Sequence, residues 1–148
     1  MNVNKNNNTP IPFEIISDGD IKMAIVIRSH FHKDGMSFIT DPNETIQFGY
    51  FSHLAGHKIQ PHVHKSFERK TNNTQEVLYI KSGKVRVNFF SEDQSYLNKS
   101  VDLYKNDWII LMTAGHGFDI LKDSQIIEIK NGPYAGDEDK IRFNQESA

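Results

Sequence analysis

Cysteine is absent from this 148-residue chain. That excludes a disulfide framework and thiolate chemistry, so any metal has to be held by histidine, carboxylate or water. No apolar run approaches the ~20 residues that a membrane-spanning helix needs, and the N-terminal residues lack the apolar stretch of a signal peptide. A charge of one sign is also missing. Seventeen Lys and Arg oppose nineteen Asp and Glu, mixed along the chain without a basic stripe or an acidic tail. Neither nucleic acid nor a membrane surface is therefore the expected partner. No nucleophile motif, phosphate-cradling glycine loop or dinucleotide fingerprint occurs; Gly115-His116-Gly117 reads as a tight turn before a strand. The expectation is a cytoplasmic protein whose partner is a small molecule.

What is present is modest in apolar content, 37%, but 11% of the residues are aromatic, so large side chains carry much of the burial. Residues 1–12 are polar and asparagine-rich and end in Pro10 and Pro12; they read as a flexible or loosely held N-terminal arm. Residues 13–148 read as one domain. Its β-branched and aromatic runs alternate with turn signals, and none keeps a 3.6-residue period. Strands are expected over Ile21–Ile27, Ser37–Ile39, Ile46–His53, Lys58–His64, Gln75–Ile80, Lys84–Phe90, Val101–Tyr104, Trp108–Met112, Phe118–Leu121 and Gln125–Lys130. Lys81-Ser82-Gly83 reads as a tight hairpin with its glycine at positive φ. Ten short strands separated by turns predict an all-β sandwich or barrel.

The chemistry-bearing residues sit in two patches. Gly56-His57-Lys58-Ile59-Gln60-Pro61-His62-Val63-His64 is followed, eleven residues later, by Glu76 at the head of the apolar run Val77–Ile80 and by Gly83. In a strand His62 and His64 point to one face. Far downstream, His116 lies in Thr113-Ala114-Gly115-His116-Gly117. Three imidazoles and a carboxylate suit Fe, Mn, Co, Ni, Cu or Zn and leave open positions for water or substrate. A second His-x-His, His30-Phe31-His32, precedes the turn Lys33-Asp34-Gly35 without a glutamate at matching spacing and reads as a solvated strand end. His53 and His57 read as packing or surface residues. On the last strand Glu128 and Lys130 share one parity, and Glu128 is the candidate proton-transfer group if that face looks inward.

Gly56-x5-His62-x-His64 with Glu76-x6-Gly83, and the Asp107–Phe118 stretch, resemble the two motifs of the cupins. The resemblance covers about residues 45–131. It implies a double-stranded β-helix, the cupin jelly-roll barrel, with His62, His64, Glu76 and His116 as metal ligands. The chain departs from the pattern in three places. The gap from His64 to Glu76 exceeds the family's three or four residues, so that Glu68 stands at the usual spacing as a rival ligand. Met112 replaces a usual proline, and His116 falls one residue early. Thr74–Tyr79 and Asn131–Tyr134 further resemble small cupins of bacterial surface-polysaccharide gene neighbourhoods. That likeness implies isomerase- or epimerase-type chemistry on a sugar or nucleotide-sugar, and cupins commonly form homodimers. A metal-dependent dioxygenase and a non-catalytic ligand-binding or regulatory module are the alternative readings.

Overall fold

The computed structural model describes residues 13–144; the expected N-terminal arm, residues 1–12, lies outside them. Eight strands and one short 3-10 turn follow in the order β1 (Glu14–Asp18), β2 (Ile21–Ile27), β3 (Gly35–Phe38), β4 (Gly49–Ser52), β5 (Glu76–Phe90), β6 (Tyr96–Tyr104), β7 (Trp108–Leu111), β8 (Gly115–Lys130) and η1 (Gly136–Asp139). The chain is all-β, built from curled antiparallel sheets with almost no helix. Strands β1-β2-β7-β5-β6 form one sheet in that order, and β8 pairs with the other edge of β5. The β3–β4 pair forms a second, two-stranded sheet.

Expected turns become corners within continuous strands in the folded chain. Gln75–Ile80 and Lys84–Phe90 are not the arms of a hairpin but two halves of the single strand β5. Its first half pairs with β7, its second half with β6, and both halves pair with β8. Between the halves the register shifts at Ser82, and Gly83 takes φ +92. Lys122–Ser124 is likewise a bend within β8 rather than a turn between strands. The two bends lie against each other, where the Lys84 amide donates to Ser124 Oγ at 3.1 Å. A glycine hydrogen at position 83 is all the space permits, because a Cβ there would run into the Asp123 and Ser124 backbone.

The bend has a consequence for packing. An irregularity that inserts a residue reverses the side-chain alternation beyond it. Leu78 and Ile80 from the first half, and Val85, Val87 and Phe89 from the second, therefore enter the same buried cluster. Met23, Ala24 and Val26 of β2, Ile109 and Leu111 of β7 and Val101 and Leu103 of β6 complete it. On the opposite face, Ile25, Ile27, Val77, Ile110 and Met112 form a second cluster, covered by Ile39, Ile46, Phe48, Tyr50 and Trp108. From Met23 to Ile27 β2 is buried on both faces, which accounts for the apolar run that follows Lys22.

Buried polar groups pin the ends of these strands. Asp107, 2% exposed, accepts from Arg28 at 2.9 Å, from the Ser29 amide at 2.9 Å and from the Tyr104 amide at 3.0 Å. Arg28 also donates to Glu14 at 2.7 Å, so one network holds β1, the exit of β2 and the β6–β7 turn. No helix is long and apolar enough to cross a membrane among the described residues.

Candidate functional site

The curl of β5 brings Glu76 to His116. His116 is paired with Phe89 across β5 and β8, thirteen positions beyond Glu76. A straight strand would separate those positions by about 43 Å at ~3.3 Å per residue. Instead His116 Nε2 lies 3.2 Å from Glu76 Oε2. Both side chains are on the face of the larger core cluster, Glu76 in step with Leu78 and His116 opposite Phe89.

Glu76 is mostly buried, with 12% of its side chain exposed, and His116 is 28% exposed. The imidazole of His116 beside it holds the Glu76 carboxyl below the usual carboxylate range. Burial opposes this, and the positive charges of His116, Lys130 and Lys140 add to it. The carboxylate is thus kept ionised at the edge of an apolar interior.

A cavity of about 500 Å³ opens over this pair, lined among others by Thr74, Phe90, Ala114, Lys140, Arg142 and Phe143. Its far wall is the segment after β8. Thr74 Oγ1 donates to Asp139 Oδ1 at 2.6 Å, which ties η1 to the start of β5. Phe143 meets Phe90 edge-on at 5.2 Å, closing the apolar side. Lys140 and Arg142 supply two cations to the lining. These C-terminal residues were missed in reading the sequence, where the strand series ended at Lys130. The run Asp137–Arg142, dense in both charges after Gly136, was the available signal.

Of the expected ligands, the fold brings Glu76 and His116 together and leaves His62 and His64 elsewhere. Lys58–His64 is not a strand. It belongs to an irregular, fully exposed segment from His53 to Asn73. The physical reason is local: no neighbouring strand supplies ladder hydrogen bonds, and Pro61 in its middle has no N–H to offer one. His62 and His64 are near each other, ring centroids 5.1 Å apart, and His62 Nδ1 is 3.1 Å from the Gln60 carbonyl. Among the described residues no group of three or more His, Cys, Asp or Glu side chains is placed so that it could hold a metal ion. Glu68 is in the same exposed segment, 3.9 Å from Lys70.

Glu128 shares the face of Glu76, since its register partner is Leu78 and that of Lys130 is Glu76. It does not line the cavity; it is half-exposed and 3.7 Å from Lys130. Three other histidines gather at a second, open cavity of about 680 Å³ lined by His32, Asp34, His53 and His57. His32 Nε2 is 3.0 Å from Asp34, Tyr50 Oη is 3.4 Å from His32 Nδ1, and His53 stacks on His57 at 3.9 Å. Comparison with known proteins adds no relative to this geometry: no family model, no curated protein and no solved structure matches the chain.

Proposed function

We propose that the curled sheet is a cupin-type jelly-roll barrel and that the cavity over Glu76 and His116 is its reaction chamber. Its substrate is a small polar molecule, a sugar or nucleotide-sugar, and its chemistry is proton transfer of the isomerase or epimerase type with a divalent metal as cofactor. The observation that carries this reading is the Glu76–His116 contact at the base of a cavity flanked by Lys140 and Arg142. An ionised carboxylate and an imidazole are donors for first-row divalent ions, so the pair fits a metal as two of its ligands. A bound ion would polarise a carbonyl or hydroxyl of the substrate. The chain's own groups do the rest. Beside such an ion, the carboxylate of Glu76 and the imidazole of His116 are the groups placed to exchange a proton with the substrate. Lys140 and Arg142 suit the phosphate oxygens of an activated sugar. Phe90, Ile141 and Phe143 keep one side of the chamber apolar and limit water.

The test is metal content and ligand binding of the purified chain. Wild-type protein should retain a divalent ion and bind a nucleoside-diphosphate sugar by calorimetry. Glu76→Ala and His116→Ala should each lose both, while His30→Ala should lose neither. Metal uptake should weaken in acid, because a coordinating imidazole must be neutral. Wild-type protein that takes up no divalent ion would sink the metal-dependent reading.

A further inference from the structure

A further cavity of about 390 Å³ lies beside the one over Glu76 and His116. The two share Gly115, Asp139, Lys140, Ile141 and Phe143, so one stretch of chain, the strap Asp139–Phe143, is a wall of both. A wall with open space on two sides has little packed behind it. Ile141 shows the result: it lines both cavities and is still 79% exposed. Few buried contacts and free space are the conditions under which a segment opens locally.

The backbone after β8 is held at points rather than along a ladder. Among the described residues no backbone hydrogen bond joins residues 131–144 to a strand; the one from the Glu138 amide to the Ala135 carbonyl is internal. Side chains fix the segment instead. At its root Asn131 accepts from the Gln75 amide at 2.7 Å and donates to the Asn73 carbonyl at 3.3 Å. At Asp139 the bond from Thr74 is supported by Lys130 at 3.9 Å. At Phe143 the contact is apolar, the ring meeting Phe90 edge-on at 79°. A Cβ at Gly115 would stand 3.1 Å from Phe90 Cβ and 3.6 Å from Phe143 Cζ, so the missing side chain makes part of the seat. Between Asp139 and Phe143, among the described residues, no hydrogen bond or ion pair ties the strap to the strands; Arg142 pairs with Asp137 inside the segment at 2.7 Å. The anchors differ in kind. Parting at Asn131 or Asp139 would strip half-buried polar groups of their partners, whereas parting at Phe143 leaves no donor or acceptor unpaired.

We propose that Lys140–Phe143 is a gate on the chamber, pivoting at Asp139 with Phe143 as its catch. In this structure the gate is closed, with Phe143 on Phe90 and the strap between the two cavities. When Phe143 leaves its seat the cavities join, and a ligand too large to pass the closed strap reaches Glu76 and His116. Lys140 travels with the strap, so the charge on the chamber wall changes with the gate. Lids of this kind exchange on roughly the microsecond-to-millisecond scale, with the motion confined to a few residues beyond a hinge. The gate depends on neither the metal nor the substrate proposed above, because the strap's anchors and the space around it carry it.

Access and motion are tested separately. Because the chain has no cysteine, Ala114→Cys places a single thiol in the lining of the larger chamber. Its reaction with a bulky maleimide should speed up about tenfold or more when Phe143→Ala is added. Phe143→Leu keeps an apolar catch and should stay within about threefold of the parent. Tyr134→Ala, in the same segment but outside both linings, should leave the rate unchanged. Motion is read by relaxation dispersion on the isotope-labelled full chain. The amides of Ile141, Arg142 and Phe143 should exchange with one common rate, while those of Asn131 and Asp139 stay flat. An unchanged maleimide rate in Phe143→Ala, or an equal rise in Tyr134→Ala, overturns the gate. So does a raised rate without dispersion at residues 141–143 of wild type, since the strap is then a fixed wall that the substitution merely shortens. Dispersion that extends equally to Asn131 and Asp139 overturns the pivot. If Phe143→Ala loses the β-type circular dichroism, dispersion in the wild-type chain decides alone: a common rate confined to 141–143 supports the gate, and its absence overturns it. Neither readout involves zinc or a nucleotide-sugar, so the gate and the metal-dependent reading fail independently.

Discussion

The His53–Asn73 arm and the paired strands β5 and β8 each carry two of the four side chains expected to hold a metal, but they hold them differently. Glu76 and His116 are fixed by ladders on both sides of β5 and by a core that contains residues from both its halves. His62 and His64 hang on backbone with no ladder at all. Position in the sequence does not separate the two cases, because His64 is closer to Glu76 along the chain than His116 is. What separates them is the number of non-local hydrogen bonds and buried contacts each backbone segment makes. A donor pair is preorganised only where the backbone beneath it is.

Glycine substitutions would sharpen this contrast most. Gly83 and Gly56 both have positive φ, +92 and +89, but a Cβ at Gly83 meets the β8 backbone whereas none meets anything within 4 Å at Gly56. Gly83→Ala should cost about 3 kcal/mol or more, combining backbone strain with overpacking. Gly56→Ala should cost only the backbone share, roughly 1 kcal/mol. Urea unfolding measures both. Equal losses would mean that the corner and the arm are equally constrained, contrary to the packing.

Next in size is Asp107→Ala. It removes the acceptor shared by Arg28 and two amides and leaves a cation half-buried, a loss of about 3 kcal/mol at most. Thermal unfolding should show it, whereas Glu68→Ala in the arm should change the midpoint by less than the error of the measurement. A large effect from Glu68 would give the arm a structural role that its exposed setting does not explain.

The smallest effect concerns acid. Asp102 on β6 accepts from Arg86 at 2.7 Å and lies 2.8 Å from Lys84, both on β5. These partners, Arg86 first, hold its carboxyl well below the usual range. A depressed carboxylate adds stability that is present above its ordinary value and lost as pH falls through the lower folded value. Asp102→Asn should therefore lose about 1 kcal/mol or less at neutral pH, because the pair is partly solvated. Its stability should also fall less steeply with acid than that of wild type. Parallel acid limbs in the two proteins would show that this pair contributes nothing.

Much of the body was legible in the sequence for identifiable reasons. Ile21–Ile27 reads as a strand because seven residues between turn signals are mostly β-branched, and β2 has those bounds. Gly83 reads as a positive-φ position, and it is one. Glu76 stands out at the head of an apolar run, and it opens β5. The corner at Ser82 was less legible. A hairpin and a bent strand share the same glycine signal and differ only in which strands lie alongside. Lys58–His64 alternates as a strand should, yet alternation states only how a segment could pair and not whether a partner is within reach. The Thr74–Asp139 bond and the Phe90–Phe143 contact were illegible, since each joins residues more than fifty positions apart.

The sequence by itself determined the class of structure. Period-two patterning, turn residues and the lack of a helical period permit only β-structure, and the lack of cysteine limits metal donors to imidazole and carboxylate. Those are local and compositional properties, so they survive without knowledge of neighbours. The tertiary structure alone decided that β5 turns a corner and that the turn reverses its alternation, and so that Glu76 meets His116 beneath a wall built from Lys140, Arg142 and Phe143. The cause is non-local pairing: β8 runs beside both halves of β5, and which residues become neighbours across such a ladder depends on register and curl, which no stretch of sequence contains.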